Sequence, residues 1–183
     1  GDFKEEIVPV EVPQKRGKPP VIFDKDEHFR PGLTMDELRK LPPAFVPKIG
    51  KVTAGNASGI NDGASAVVIM STDKAKELGI TPMARINATG YGGCHPSVMG
   101  LSPVPAIKDL FRKYPQYSID SFDLIELHEA FAAQYVACEK ELGNKRERTN
   151  VNGSGIGLGH PVGSSACRIM VTLIYAMKRQ QKS

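Results

Sequence analysis

The sequence predicts an α/β layered fold, on three observations. From residue 51 onward, strand-like runs alternate with runs of helical period. Two of those strand-like runs hand over to a helix directly at a histidine, and Gly153, Gly155, Gly157 and Gly159 alternate with other residues just before one of them. Strands alternating with helices are the pattern of a domain in which helices cover a sheet.

Residues 1–50 differ from the rest. They are rich in proline (Pro9, Pro13, Pro19, Pro20, Pro31, Pro42, Pro43, Pro47) and read as a surface excursion or connector. Their one clear helix signal is "TMDELRKL", where Thr34 and Glu37 have the spacing of a capping box. Next, "NDGASAVVIM" predicts a buried-type strand at 65–70, and "STDKAKELG" a short helix stopped at Gly79. "ARINATGY" reads as a strand. "VPAIKDLFRKY" reads as a helix with Val104, Ile107, Leu110 and Phe111 on one face. "FDLIEL" is a strand feeding the helix "EAFAAQYVACEKELG", and "NVNGSGIGLG" a strand feeding the helix "SSACRIMVTLIYAMK".

In an extended strand, residues two apart face the same way, so the alternating glycines would bare one face for a close neighbour, either a helix or a ligand. Pro161 suits a first helical position, which places His160 at a helix N-terminus on the rim of that face. There the helix dipole disfavours imidazolium and leaves a ring able to accept a proton. His128 stands at a second strand-to-helix junction, beside Glu129. A structural histidine is the alternative for each, but two at such junctions point to a shared site. Phosphate and dinucleotide loops do not fit. "GHPVGSS" lacks the P-loop lysine, and "GLGHPVG" has one residue too many between its second and third glycines.

Composition narrows the class further. No apolar run approaches the roughly 18 residues a membrane span needs, and the first residues lack the grammar of a secretory signal, so a soluble chain without membrane partners is expected. The net charge of +4 is scattered, with no tryptophan and no aromatic interleaving, which argues against nucleic acid. Cys94, Cys138 and Cys167 form no paired framework, which suits a reducing compartment, the cytoplasm or an organelle matrix. The four histidines show no ligand spacing, so no metal is expected.

The stretches "VTAGNASGINDGASAVVIMS", "VMGLSPVPAIK", "HEAFAAQ" and "NVNGSGIGLGHPVGSSACRI" occur in one order across residues 51–178, with "FKEEIVPVEV" ahead of them. Together they resemble the thiolase family, in particular its acetyl-CoA acetyltransferases, over essentially the whole chain. The resemblance implies the layered α-β-α-β-α thiolase fold. Residues 1–50 would be the end of its loop region and a connector, 51–80 the end of the N-terminal half, and 81–183 most of the C-terminal half without its closing strands. It also implies acyl transfer between a cysteine thioester and coenzyme A or acetyl-CoA, either joining two acetyl-CoA into acetoacetyl-CoA or running the reverse thiolysis. Coenzyme A would come as substrate, with no permanently bound cofactor.

By that resemblance, His160 is the base that activates the nucleophilic cysteine and helps bind the thioester oxygen. His128 occupies the position where the family usually has an asparagine holding a water in the oxyanion hole. Ser58, with Ala54 nearby, matches the contact to the pantetheine arm. Met99 and Phe131 match the lining of the acyl and pantetheine pocket, and Gly159 belongs to the wall beside His160. An ordinary turn would also explain Ser58, and ordinary core Met99 and Phe131. The family's nucleophilic cysteine and its second, acid–base cysteine match none of Cys94, Cys138 and Cys167, of which the last two read as structural thiols on helices. The chain therefore reads as a thiolase fragment. Its expected partners are acyl-CoA substrates, the missing thiolase half, and further copies in a dimer or tetramer. A non-catalytic acyl-CoA-binding or scaffold module on the same frame is the alternative.

Overall fold

Valines and a turn rich in lysine, arginine and glycine make the first regular element of the computed structural model, which describes residues 1–153 and 155–182. Ser154, inside the predicted glycine strand, and Ser183, the last residue of the expected C-terminal half, lie outside the described residues. Strands β1 (Val10–Val12) and β2 (Val21–Phe23) pair antiparallel, with Val10 opposite Phe23 and Val12 opposite Val21. The connection turns through Arg16 and Gly17, both at positive φ. Helix α1 (Met35–Arg39) starts as the sequence predicts. The Thr34 hydroxyl accepts from the Glu37 N–H at 3.3 Å, and the Glu37 carboxylate accepts from the Thr34 N–H at 2.8 Å.

Helix α2 (Thr72–Glu77) is capped by Ser71, whose hydroxyl accepts from the Lys74 N–H, and ends at Gly79, φ 65°. Helix α3 (Pro103–Lys113) buries Val104 and packs on α4 (Ala132–Leu142), which buries Cys138 completely. The Cys138 thiol donates to the Gly100 carbonyl at 3.2 Å, and burial raises its pKa, which makes it a structural thiol. The chain before α3 must pass close to that helix. A Cβ on Gly92 would come within 2.5 Å of the Ala106 nitrogen, so only glycine fits. The one-turn helix α5 (Gly155–Leu158) and the long α6 (Ser165–Gln180) complete the chain. α6 buries Ser165, Thr172 and Ala176 and is tied to the N-terminal segment through Thr172 to Glu6 and Arg179 to the Asp2 carbonyl.

The architecture is the predicted α/β type, but several predicted elements differ. Among the described residues, 61–70 and 84–91 carry no strand pairing, and the 122–127 run keeps only the parallel bridge Ile125 to Thr149. A strand exists only with a ladder partner, and sequence alternation says nothing about whether one lies alongside. Without a neighbour, Val68 stays 87% exposed and Ile69 68%. The predicted glycine strand is instead a turn followed by α5, so its glycines do not bare one strand face. α6 begins at Ser165, after a turn through Pro161 to Ser164, so His160 stands ahead of the helix rather than in its first turn. α4 begins only at Ala132 because Phe131 is extended and pairs with Ala57.

Candidate active site

Residues 56–60 form the spine of the site. On one side the Ser58 N–H donates to the Ala130 carbonyl and the Ala132 N–H to the Asn56 carbonyl, each at 2.9 Å. At its other end the His160 N–H donates to the Gly59 carbonyl at 2.8 Å, and Ile60 pairs in parallel with His160. One short segment therefore holds both histidine-bearing stretches, and the imidazoles of His128 and His160 meet with ring centroids 4.1 Å apart at 51°.

The glycines serve that contact individually. A Cβ on Gly155 would come within 2.7 Å of His128 Cε1 and 3.0 Å of the Glu129 carbonyl, so α5 can approach the ring only without a side chain. Gly159, at φ 90°, packs against the Asn61 carboxamide.

His160 Nδ1 lies 2.6 Å from the Ser165 hydroxyl, whose own proton is directed at the Pro161 carbonyl at 3.3 Å. A hydroxyl has one proton to give, so this network assigns the imidazole proton to Nδ1 and leaves the lone pair on Nε2. Neither ring nitrogen of His128 has a hydrogen-bond partner among the described residues, though both are shielded from solvent. Burial first, then the proximity of His160 and of the Arg168 guanidinium, holds His128 well below the usual imidazole range, at about 4, so its ring is neutral at pH 7.

Beneath the pair lies a charged cluster that the sequence reading did not single out. Burial lowers the pKa of Arg168 on α6, against the opposing charges of Glu126, Glu6, Asp26 and Glu129. Glu126 is pushed up to about 7, chiefly by burial, with Arg168 opposing and the charges of Glu129 and Glu6 adding.

The two shifts act on stability with opposite sign. His128 titrates at about 4 folded against 6.5 ordinarily, so its contribution is full above 6.5 and lost as pH falls toward 4. Glu126 titrates at about 7 against 4.5, so its contribution is full below 4.5 and lost as pH rises toward 7. Between those limits the slopes oppose, each at most about 1.4 kcal/mol per pH unit, with that of His128 reduced by its partial exposure. Glu126→Gln is therefore expected to make stability climb with pH from about 4.5 to 6.5 more steeply than in the wild type. Urea unfolding across that range checks it, and parallel profiles would refute the raised Glu126 value.

The other predicted residues are placed unevenly. Ser58 and Phe131 flank the paired backbone of the spine, and the Phe131 ring meets Phe45 edge-on at 6.1 Å. Ala54 is exposed on the turn from Thr53 to Asn56. Met99, 68% exposed, sits on the 3-10 helix Pro96–Leu101, which packs on α3 and α4. Cys167 is half-buried and lines an open cleft of about 440 Å³ with Asn61, Ser65 and Pro161. No cluster of three or more potential metal ligands occurs among the described residues, and no helix among them is long and apolar enough to cross a membrane. The sequence reading missed Ser165, Asn61 and Asn150. Ser165 alone carried a local signal, a hydroxyl one helical turn beyond Pro161.

Comparison with known proteins adds the following. The family model "Thiolase, N-terminal domain" matches residues 1–73, and "Thiolase, C-terminal domain" matches residues 80–183. The acetyl-CoA acetyltransferase of Cupriavidus necator is 51% identical over 180 residues, 98% of this chain and 45% of that protein. The enzyme of the same name from Syntrophomonas wolfei is 53% identical over 182 residues, with the same shares covered. Among solved structures, the Bacillus anthracis acetyl-CoA acetyltransferase superposes with a TM-score of 0.93 at 50% identity, over 99% of this chain and 45% of that one. Human mitochondrial 3-ketoacyl-CoA thiolase in complex with CoA superposes with a TM-score of 0.91 at 46% identity, over 100% and 44%. The chain thus spans a little under half the length of the relatives it matches.

Proposed function

The chain belongs to the thiolase family, and on that premise we propose that it carries the histidine side of an acyl-transfer site acting on coenzyme A thioesters. The observation that carries this reading is the contact between the His128 and His160 rings, with the proton of His160 assigned to Nδ1 by Ser165.

In the proposed reaction, Nε2 of His160 takes the proton of a cysteine thiol, and the thiolate attacks the thioester carbonyl of acetyl-CoA or, in thiolysis, the 3-keto carbonyl of a 3-ketoacyl-CoA. The carbonyl oxygen gathers negative charge beside the two imidazoles. His128, neutral because it is buried beside His160 and Arg168, presents an N–H there without costing a proton. Collapse breaks the bond to the coenzyme A sulfur in the first case, or to the carbon of the departing acetyl-CoA in the second, and that leaving group takes up the proton, leaving an acyl-cysteine. That intermediate passes its acyl group to the thiol of coenzyme A or to the carbanion of acetyl-CoA. The reacting cysteine is supplied outside Cys94, Cys138 and Cys167. Cys138 is sealed in the core, and the Cys94 thiol is spent on the Val98 carbonyl at 3.2 Å.

Ser58, Ala54, Met99, Phe131 and Gly159 would line the path of the acyl-pantetheine arm. Ser58 lies on the spine, and Gly159 directly precedes His160 and packs on Asn61. On this reading residues 51–80 end the N-terminal thiolase half and residues 81–183 belong to the C-terminal half. A closed dimer or tetramer, in the cytoplasm or an organelle matrix, goes with this reading.

The test is thiolysis by the complete gene product. Acetoacetyl-CoA plus coenzyme A should give acetyl-CoA, and mass spectrometry should find an acyl group on a cysteine other than Cys94, Cys138 or Cys167. A folded product that binds coenzyme A but forms no acyl-cysteine would instead be the non-catalytic module.

A further inference from the structure

His128 is an unusual ring to hold in place, because neither nitrogen is anchored by a hydrogen bond to the described residues. Among the described residues its orientation is set by its backbone and by packing against His160 and the bare face of Gly155. Among the described residues the backbone has no strand neighbour at this point. The parallel pairing of the 122–127 run with the chain around Thr149 ends with the Asn150 N–H donating to the Ile125 carbonyl at 2.9 Å, and residues 126–129 carry no assigned pairing.

The side chain of Asn150 takes over where that ladder stops. Its Oδ1 accepts from the Leu127 N–H at 2.8 Å, and its Nδ2 donates to the Leu127 carbonyl at 2.8 Å. The same Nδ2 donates to Glu129 Oε1 at 2.6 Å. One carboxamide thus closes both polar groups of the residue before His128 and the carboxylate of the residue after it. Asn150 achieves this with a left-handed backbone, φ 52°, a conformation that asparagine tolerates better than most residues.

We propose that Asn150 is a positioning residue, a side-chain clamp that extends the parallel bridge of Ile125 and Thr149 toward His128 and fixes the imidazole of His128 against His160. The proposal deepens the acyl-transfer reading and rests on it for its kinetic consequence, but the clamp itself can be tested without any activity.

Asn150→Gly removes the carboxamide and accepts the positive φ without strain. Asn150→Asp keeps the acceptor for the Leu127 N–H but turns a carboxylate oxygen toward the Leu127 carbonyl and the Glu129 carboxylate. The titratable and charged groups around His128 are His160 ahead of α6, Arg168 on α6 and the adjoining Glu129, and Asn150→Gly leaves all three in place. The experiment is NMR titration of the labelled imidazole in the complete gene product, with thiolysis kinetics alongside. In the glycine variant the His128 midpoint should rise from about 4 by more than about one pH unit toward the ordinary 6.5, as water reaches a ring no longer held in place. The kcat should fall about 10- to 100-fold, with KM for coenzyme A within about twofold. If Asn150→Gly does not fold, Asn150→Asp, which keeps part of the clamp, is read in its place, with a loss of kcat expected. A folded variant of either kind with an unmoved His128 midpoint and an unchanged kcat would overturn the clamp. A shifted midpoint in a protein whose wild type performs no thiolysis would support the clamp and remove the acyl-transfer reading.

Discussion

Replacing His160 by asparagine in the complete gene product is expected to lower kcat for thiolysis about 10³-fold while leaving the Kd for coenzyme A within about twofold. The asymmetry follows from what the substitution keeps. Asparagine is polar and shorter than histidine, and it retains the backbone N–H that donates to the Gly59 carbonyl, so the spine stays paired with the segment ahead of α6. A carboxamide can also address the Ser165 hydroxyl in place of Nδ1. It cannot accept a proton at neutral pH, which is the one task assigned to Nε2. Single-turnover mixing with acetoacetyl-CoA should show acyl-cysteine formation itself slowed. Acylation at the wild-type rate would remove His160 from the role of base, and weakened coenzyme A binding at unchanged kcat would move it to substrate positioning.

Gly159→Ala carries the largest expected effect on stability, a loss of about 2–4 kcal/mol. Two costs combine. The backbone holds φ at 90°, where an L side chain is strained by about 1–2 kcal/mol. The new methyl would also be driven into the Asn61 carboxamide, with Asn61 Cγ only 2.5 Å from the ideal Cβ position. Rotation of the Asn61 side chain can carry the carboxamide away but not Asn61 Cβ, which lies 3.1 Å from the ideal Cβ position. The second cost is removable and the first is not. Asn61→Ala in the Gly159→Ala background should therefore recover about 1–2 kcal/mol and leave the backbone strain. Urea unfolding of the two single variants and the double variant measures the coupling. Additive losses would mean that the two side chains do not meet.

How much of this was legible depended on how far apart the interacting groups lie in the chain. The Thr34 capping box, the stop of α2 at Gly79 and the apolar face of α3 were readable because each depends on residues within a turn or two. The strands were not readable. Val67, Val68 and Ile69 have strand composition, yet their exposure shows no neighbour among the described residues. The alternating glycines pointed to the right place for a different reason. They are spaced to admit the His128 ring at Gly155 and the Asn61 carboxamide at Gly159, one close approach each, and not to bare one strand face.

By itself the sequence determined the family, the α/β class and the two histidines, since all three rest on residue types and their local order. The tertiary structure decided what those histidines are to each other. Their separation of 4.1 Å is set by residues 56–60 pairing with both stretches at once, and the neutrality of His128 is set by burial beside His160 and Arg168. The clamp of Asn150 on Leu127 joins residues 23 apart in the chain. Pairing across such distances, and the desolvation it produces, are properties of which surfaces meet, and a linear order of residues does not specify them.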